Sequence, residues 1–361
     1  MTEIHQIMPA CLYGDAMGNQ AFRIRELLRQ WGFKSQIYAQ SRDRRVSDPG
    51  KDCAHYRSNP DNLVIFHYST GSPLTEFVRQ LPDKVIVYYH NVTPPEFVRR
   101  YNPGLATLLE QGRRELALFH TAPFAWAASE YNRMEMLGLG FENVSIVPYF
   151  VYLEQILASA SGAAGREIIA RYDDGWTNIL FVGRLAPNKR QDDLIRAFNY
   201  YHRLINPRSR LILIGSDLNT PGYRLELETM AEVLNLEHVH IPGAVGLREG
   251  LGGYYQAATI FLCLSEHEGF CIPLLEAMAF DVPILAFEAT GVPYALGEAG
   301  ILVKRKRYDV IGELIDLLAR DEDLRQRVVT RQRQRLQEFA PAATAECLQR
   351  RVDDTVRLLT S

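Results

Sequence analysis

Residues 259–287 read TIFLCLSEHEGFCIPLLEAMAFDVPILAF. Ile260 to Leu264 is a short apolar run of the kind a buried strand makes, and the polar, Gly-containing Ser265 to Cys271 predicts a loop at its C-terminal end. Pro273 then opens a helix, because a proline's missing N–H would be unpaired at the first helical position anyway. This places Glu276 in the first helical turn and Glu268 in the loop above it, with the amides of Gly269, Phe270, Cys271 and Ile272 between them. Converging free N–H groups and the helix dipole favour an anion there. Acidic residues near a helix start are commonly caps, but two carboxylates flanking such a nest also suit a ligand carrying phosphate and hydroxyls together, such as a nucleotide sugar.

Outward from this stretch, short apolar runs alternate with amphipathic segments in two series. The first is Ile4 to Met8, Gln36 to Ala39, Leu63 to Tyr68, Val85 to Tyr89, Phe124 to Ala128 and Val144 to Pro148. The second is Ile179 to Val182, Leu211 to Ile214, Val239 to Ile241, Ile260 to Leu264, Pro283 to Phe287 and Ile301 to Val303. Helical patterns between them include Gln20 to Trp31, Glu96 to Phe119, Asp192 to Ile205 and Tyr223 to Leu234. Strand alternating with helix predicts parallel α/β sheets, and two series predict two of them. The small, weakly patterned Leu157 to Gly165, LASASGAAG, reads as the linker.

The 361 residues, 47% hydrophobic, suffice for two separate cores. With 40 basic and 43 acidic residues the net charge is −3, so no overall field draws the chain to nucleic acid. The five cysteines, Cys11, Cys53, Cys263, Cys271 and Cys347, show no metal-ligand spacing and read as reduced thiols of a cytoplasmic protein. MTEIHQIMP lacks the basic segment and long apolar core expected of a signal peptide, and no apolar run approaches the roughly eighteen residues that a membrane span needs.

Glu268 and Glu276, in EHEGFCIPLLEAMA, resemble the E-x7-E signature of the retaining glycosyltransferases of family 4. Gly183-Arg-Leu-Ala-Pro-Asn-Lys189 resembles that family's GRLxPxK motif. The resemblance is strongest from about Gly183 to Val303 and weaker before residue 150. It implies an α/β fold of GT-B architecture: two facing Rossmann-like domains with an interdomain cleft. An acceptor domain would span 1–160 and a donor domain 161–340, with a helix at 341–361 packing back on the first.

The resemblance further implies that Arg184 and Lys189 bind the donor diphosphate, that Glu268 lies near the donor sugar, and that Glu276 binds the ribose. Arginine suits phosphate through its planar fork and lysine through a compact charge. The loop Gly14 to Gly18 would approach the diphosphate, with Gly18 carried over, and His90 would contact the sugar beside Asn91 and Thr93. Gly243 and Val245 would help enclose the base. Two departures bear on the sugar's identity: Cys271 stands where the family often has glycine, and Tyr294 where it often has glutamate.

The activity so implied is a retaining hexosyl transfer from a nucleoside-diphosphate sugar to a glycan, glycolipid or small hydroxyl acceptor, as in polysaccharide biosynthesis. No cofactor or metal is called for; the only DxD, Asp321 to Asp323, reads as a helix cap. Arg99, Arg100, Arg113 and Arg114 on the predicted helix from Glu96 offer either a solvated face or a surface for peripheral membrane contact at the inner leaflet. An epimerase or sugar phosphorylase of the same fold, and a non-catalytic nucleotide-sugar binder, are the alternatives.

Overall fold

The computed structural model describes residues 3–12, 15–43 and 48–360, with side chains to 357. It divides into two compact units: residues 1–95, 106–150 and 339–361 form one, and 96–105 with 151–338 the other.

The first unit holds β1 (Ile4–Cys11), β2 (Ile37–Arg42), β3 (Lys51–Asp52), β4 (Leu63–Tyr68), β5 (Lys84–Tyr89), β6 (Phe124–Ala127) and β7 (Val144–Ile146), in sheet order β3-β2-β1-β4-β5-β6-β7. The second holds β8 (Thr177–Val182), β9 (Ser209–Ile214), β10 (Val239–Gly243), β11 (Ile260–Cys263), β12 (Ile284–Phe287) and β13 (Ile301–Val303), in order β10-β9-β8-β11-β12-β13. Every strand pair is parallel. Central strands covered on both faces are predominantly apolar, and all six residues of β4 and of β9 are buried. Both sheets are Rossmann-like. Chain order reverses beside β1 in the first and beside β8 in the second, and open α/β sheets gather ligands beyond the strand ends at such points.

The predicted linker is not one. LASASGAAG lies in two helices, Leu153–Ser161 and Ala163–Tyr172, packed in the second unit against the helix Leu251–Ala257. Its small residues serve close approach: a Cβ on Gly165 would lie 2.3 Å from the Ser159 carbonyl, and one on Gly252 2.2 Å from that of Ile156. Small side chains in a row look the same in sequence whether they confer flexibility or backbone contact.

The long basic helix from Glu96 is also corrected. Only Pro103–Leu116 is α-helical, preceded by a 3-10 turn at Pro95–Phe97. Pro103 cannot sit inside a helix, and it pushes the preceding residue out of helical conformation, while the Asn102 side chain accepts the Leu105 amide at 2.9 Å as a cap. Arg99 and Arg100 therefore belong with the second unit, Arg100 pairing with Glu226 at 2.8 Å. Arg113, in the first unit, donates to the Val92 carbonyl at 2.9 Å and pairs with Glu135. The four arginines do not share one helical face. Among the described residues no helix is long and apolar enough to cross a membrane.

Candidate active site

The two motif loops of the second unit leave adjacent strands at the switch point, one after β8 and one after β11. Asn188 joins them. Its carbonyl receives the amides of Glu266 at 2.9 Å and His267 at 3.3 Å, and its side chain donates to the His267 carbonyl at 3.0 Å. The buried Asn188 thus fixes the β8 loop on the β11 loop and sets Lys189 directly against Glu268 in an ion pair. Both side chains are about 90% buried, with relative exposures of 10% and 10%. Thr290 completes the setting, its hydroxyl accepting the Glu268 amide at 2.8 Å.

Arg184, in the same loop, is exposed. Its carbonyl is held by the Gln191 side chain at 2.9 Å, whereas its guanidinium has no hydrogen-bond or ion-pair partner among the described residues. Around it the sheet ends crowd closely: a Cβ on Gly215 would fall 1.8 Å from the Gly183 carbonyl. Only glycine permits that approach. The Gly215 amide donates to the Gly243 carbonyl at 2.9 Å, and Gly243 turns at φ 88°. Val245 follows in the next loop, half-buried.

Beyond Glu268, the helix Ile272–Ala279 starts at Cys271, which caps it in the left-handed region at φ 78°. Of the four amides expected to line the nest, those of Gly269, Cys271 and Ile272 have no partner among the described residues. Phe270 is buried against Tyr294, ring centroids 5.9 Å apart. Beneath them the Cys271 thiol donates to the Cys263 sulfur, which holds Cys271 well above the ordinary thiol range and Cys263 below it. Cys263 also donates to the Ser265 hydroxyl at 3.4 Å.

Glu276 sits one turn further than the sequence suggests, as the fifth residue of the helix rather than in its first turn. The Tyr255 hydroxyl donates to its Oε2 at 2.6 Å, and Oε1 has no partner among the described residues. Burial pushes this carboxyl above its ordinary value, and the Tyr255 bond offsets only part of that. A carboxyl raised in this way binds its proton more tightly folded than unfolded, so its contribution to stability falls as pH rises through the raised value. Glu276→Gln keeps an acceptor for Tyr255 and cannot ionise. We expect it to melt higher than the parent at neutral pH, with the gap closing on acidification, while nucleotide affinity falls tenfold or more, corresponding to a lost charged hydrogen bond of about 1.5–3 kcal/mol. Thermal melts across pH with calorimetric nucleotide titration check both halves; unchanged affinity removes Glu276 from ribose binding.

In the first unit, Gly18 lies inside the helix Ala16–Gln30, and its amide is the one the capping Asp15 side chain accepts, at 3.4 Å. A Cβ there would meet the Leu12 carbonyl at 3.1 Å. Gly14 is outside the described residues. His90 is buried in a directed relay. The Gln6 amide nitrogen donates to the Ala21 carbonyl at 3.0 Å, so its oxygen faces His67 and accepts from Nε2–H at 2.9 Å. His67 Nδ1 then accepts from His90 Nε2–H at 2.8 Å, and His90 Nδ1 accepts from the Tyr149 hydroxyl at 2.7 Å. Burial pushes His67 down to about 3, and burial with the neighbouring His67 holds His90 well below its ordinary value. Both rings are neutral, and His90 keeps no ring N–H for a ligand while the relay holds. Asn91, at φ 82°, turns away to bond Asn132 and Glu135.

Sequence reasoning missed Asn188, Thr290, Tyr255, His67 and Tyr149. His67 left a signal, a polar residue inside the apolar run LVIFHY. The others left none, because their roles depend on partners 20 or more positions away in the chain.

These are features of the GT-B fold, and comparison with known proteins agrees. Residues 169–335, within the second unit, match the family model "Glycosyl transferases group 1". A D-inositol 3-phosphate glycosyltransferase of Nocardiopsis dassonvillei is 31% identical over 172 residues, 45% of this chain and 38% of that protein. The O-antigen chain mannosyltransferase B of Escherichia coli is 25% identical over 221 residues, 57% of this chain and 54% of that protein. The chain thus spans about half or less of the curated relatives it matches. Among solved structures, sucrose-phosphate synthase from Thermosynechococcus elongatus superposes at TM-score 0.73 over 99% of this chain and 100% of that one, with 17% identity. Anabaena HepE, in complex with UDP-glucose, superposes at TM-score 0.72 over 98% and 100%, with 13% identity. These two likenesses establish the fold.

Proposed function

We propose that this chain transfers a sugar from a nucleoside diphosphate to a hydroxyl acceptor, with retention at the anomeric carbon and no metal in the chemical step. The observation that carries the reading is the junction at Asn188, which assembles Lys189, Glu268 and a row of amides from two neighbouring loops, beside Arg184, these amides and the Arg184 guanidinium being without partners among the described residues. Negative charge grows on the departing diphosphate as the anomeric bond breaks. Cations and amides already oriented toward it stabilise the transition state more than the ground state. Glu268, paired with Lys189, suits orienting sugar hydroxyls while it holds the lysine in place, and Glu276 Oε1, without a partner among the described residues, can accept from a ribose hydroxyl. Retention then follows from acceptor attack on the face the diphosphate leaves, with a diphosphate oxygen taking the acceptor proton. The relatives' names, an inositol phosphate glycosyltransferase and an O-antigen mannosyltransferase, favour a glycan or a phosphorylated polyol as acceptor.

The test is a thermal-shift and calorimetry screen of UDP, GDP, ADP and their sugars in EDTA. A ligand of the folded state adds about 2.7 kcal/mol at a hundredfold over Kd. One nucleotide is expected to raise the melting temperature undiminished by the chelator. Binding that requires a restored divalent cation ends the metal-free reading, and no binding by any nucleotide ends the donor reading.

A further inference from the structure

Glu268, Cys263 and Cys271 converge beneath the start of the helix Ile272–Ala279. One ligand atom from each, two sulfurs and a carboxylate oxygen, lies within 4.8 Å of the other two. All three residues are buried, at 8%, 0% and 7% exposure. The buried Ser265 hydroxyl accepts from the Cys263 thiol at 3.4 Å and so helps to place that sulfur. Glu268 and Cys271 keep a small exposure, whereas Cys263 has none.

We infer that Cys263, Cys271 and Glu268 form a binding site for one thiophilic divalent cation of the zinc and cadmium class. Two thiolates select such ions over magnesium or calcium, which prefer oxygen donors. Zinc bonds are about 2.3 Å to sulfur and 2.0–2.2 Å to oxygen, so ligand atoms within 4.8 Å of one another lie near the separation that one shared ion requires. On binding, each thiol releases its proton to the buffer and each sulfur donates a lone pair to the cation. Two thiolates and one carboxylate carry three negative charges, which the dication and the adjoining Lys189 neutralise. Three protein ligands leave one tetrahedral position open. The cation draws Glu268 away from Lys189, so occupation also suppresses transfer; that consequence rests on the donor-site reading, whereas binding of the cation does not.

The experiment titrates cadmium, then cobalt, into the full chain, stripped by chelator and kept in a metal-free phosphine reductant, and reads the thiolate-to-metal charge-transfer absorption. One cadmium per chain is expected, with the band lost in Cys263→Ala and in Cys271→Gly and kept in Cys347→Ser. Glycine suits the left-handed backbone at 271, so that variant tests the sulfur without straining the fold; circular dichroism confirms that each variant is folded. No band, or a band surviving in either folded variant, overturns the site. Transfer assayed alongside is expected to fall at least tenfold with cadmium in the parent, while Cys263→Ala, active in chelator, loses that sensitivity. Because the absorption is read without donor, a failed transfer assay alone counts against the donor reading and leaves the cation site standing.

Discussion

Replacing Lys189 by alanine is expected to damage both folding and turnover, and to do so separably. Its ammonium is paired with Glu268 where both side chains are about 10% exposed, so its loss leaves a carboxylate buried without a counter-charge. Breaking one side of such a pair costs about 3–5 kcal/mol. Turnover should fall about a hundredfold, as when one oriented transition-state donor is removed. The double variant Lys189→Met with Glu268→Gln separates the two effects. With no charge left to strand, most of the stability should return, while turnover stays low because the diphosphate cation is still missing. Denaturant melts and single-turnover transfer make the measurement. If the double variant recovers turnover along with stability, Lys189 is a structural residue and has no part in the chemistry.

Arg184→Ala should give the complementary result. The guanidinium is exposed and makes no ion pair among the described residues, so stability should stay within about 0.5 kcal/mol of the parent. The loss in turnover should again approach a hundredfold, or about 3 kcal/mol at the transition state. A cation left unpaired at a sheet switch point, with its backbone pinned by Gln191, serves a ligand or nothing. Lysine should rescue only part of the loss, since it supplies charge without the bidentate fork. Near-normal turnover in Arg184→Ala removes it from the mechanism, and a large fall in melting temperature points to a structural role instead.

What is legible in the sequence is periodic or local. The strand runs of both sheets were legible because buried parallel strands are mostly apolar, as Leu63 to Phe66 and Leu211 to Ile214 are. The helix start at Pro273 followed from proline's missing donor. Two misreadings have physical causes. LASASGAAG has the composition of a linker, yet its glycines and alanines let three helices approach within backbone contact. The amphipathic pattern from Glu96 runs on through Pro103, and the proline's restriction on Asn102 divided what the pattern joined.

The candidate site was half legible. Residue type and spacing drew attention to Arg184, Lys189, Glu268 and Glu276, because phosphate, diphosphate and ribose demand cations and carboxylates and a motif keeps them near one another in sequence. Spacing could not show that Lys189 is spent on Glu268 while Arg184 is free, that Tyr255 holds one oxygen of Glu276, or that His90 has committed both ring nitrogens to His67 and Tyr149.

By itself, then, the sequence determined the alternation of strand and helix, the two sheets, and which loops carry charge suited to a nucleoside diphosphate. These depend on interactions within a few residues or on a residue's own chemistry. The tertiary structure alone decided which charges are paired, which protons sit on which nitrogens, and that two cysteines eight residues apart share a pocket with Glu268. Those depend on groups brought together from distant strands, where burial strips away water and a partner's presence or absence sets the electrostatics.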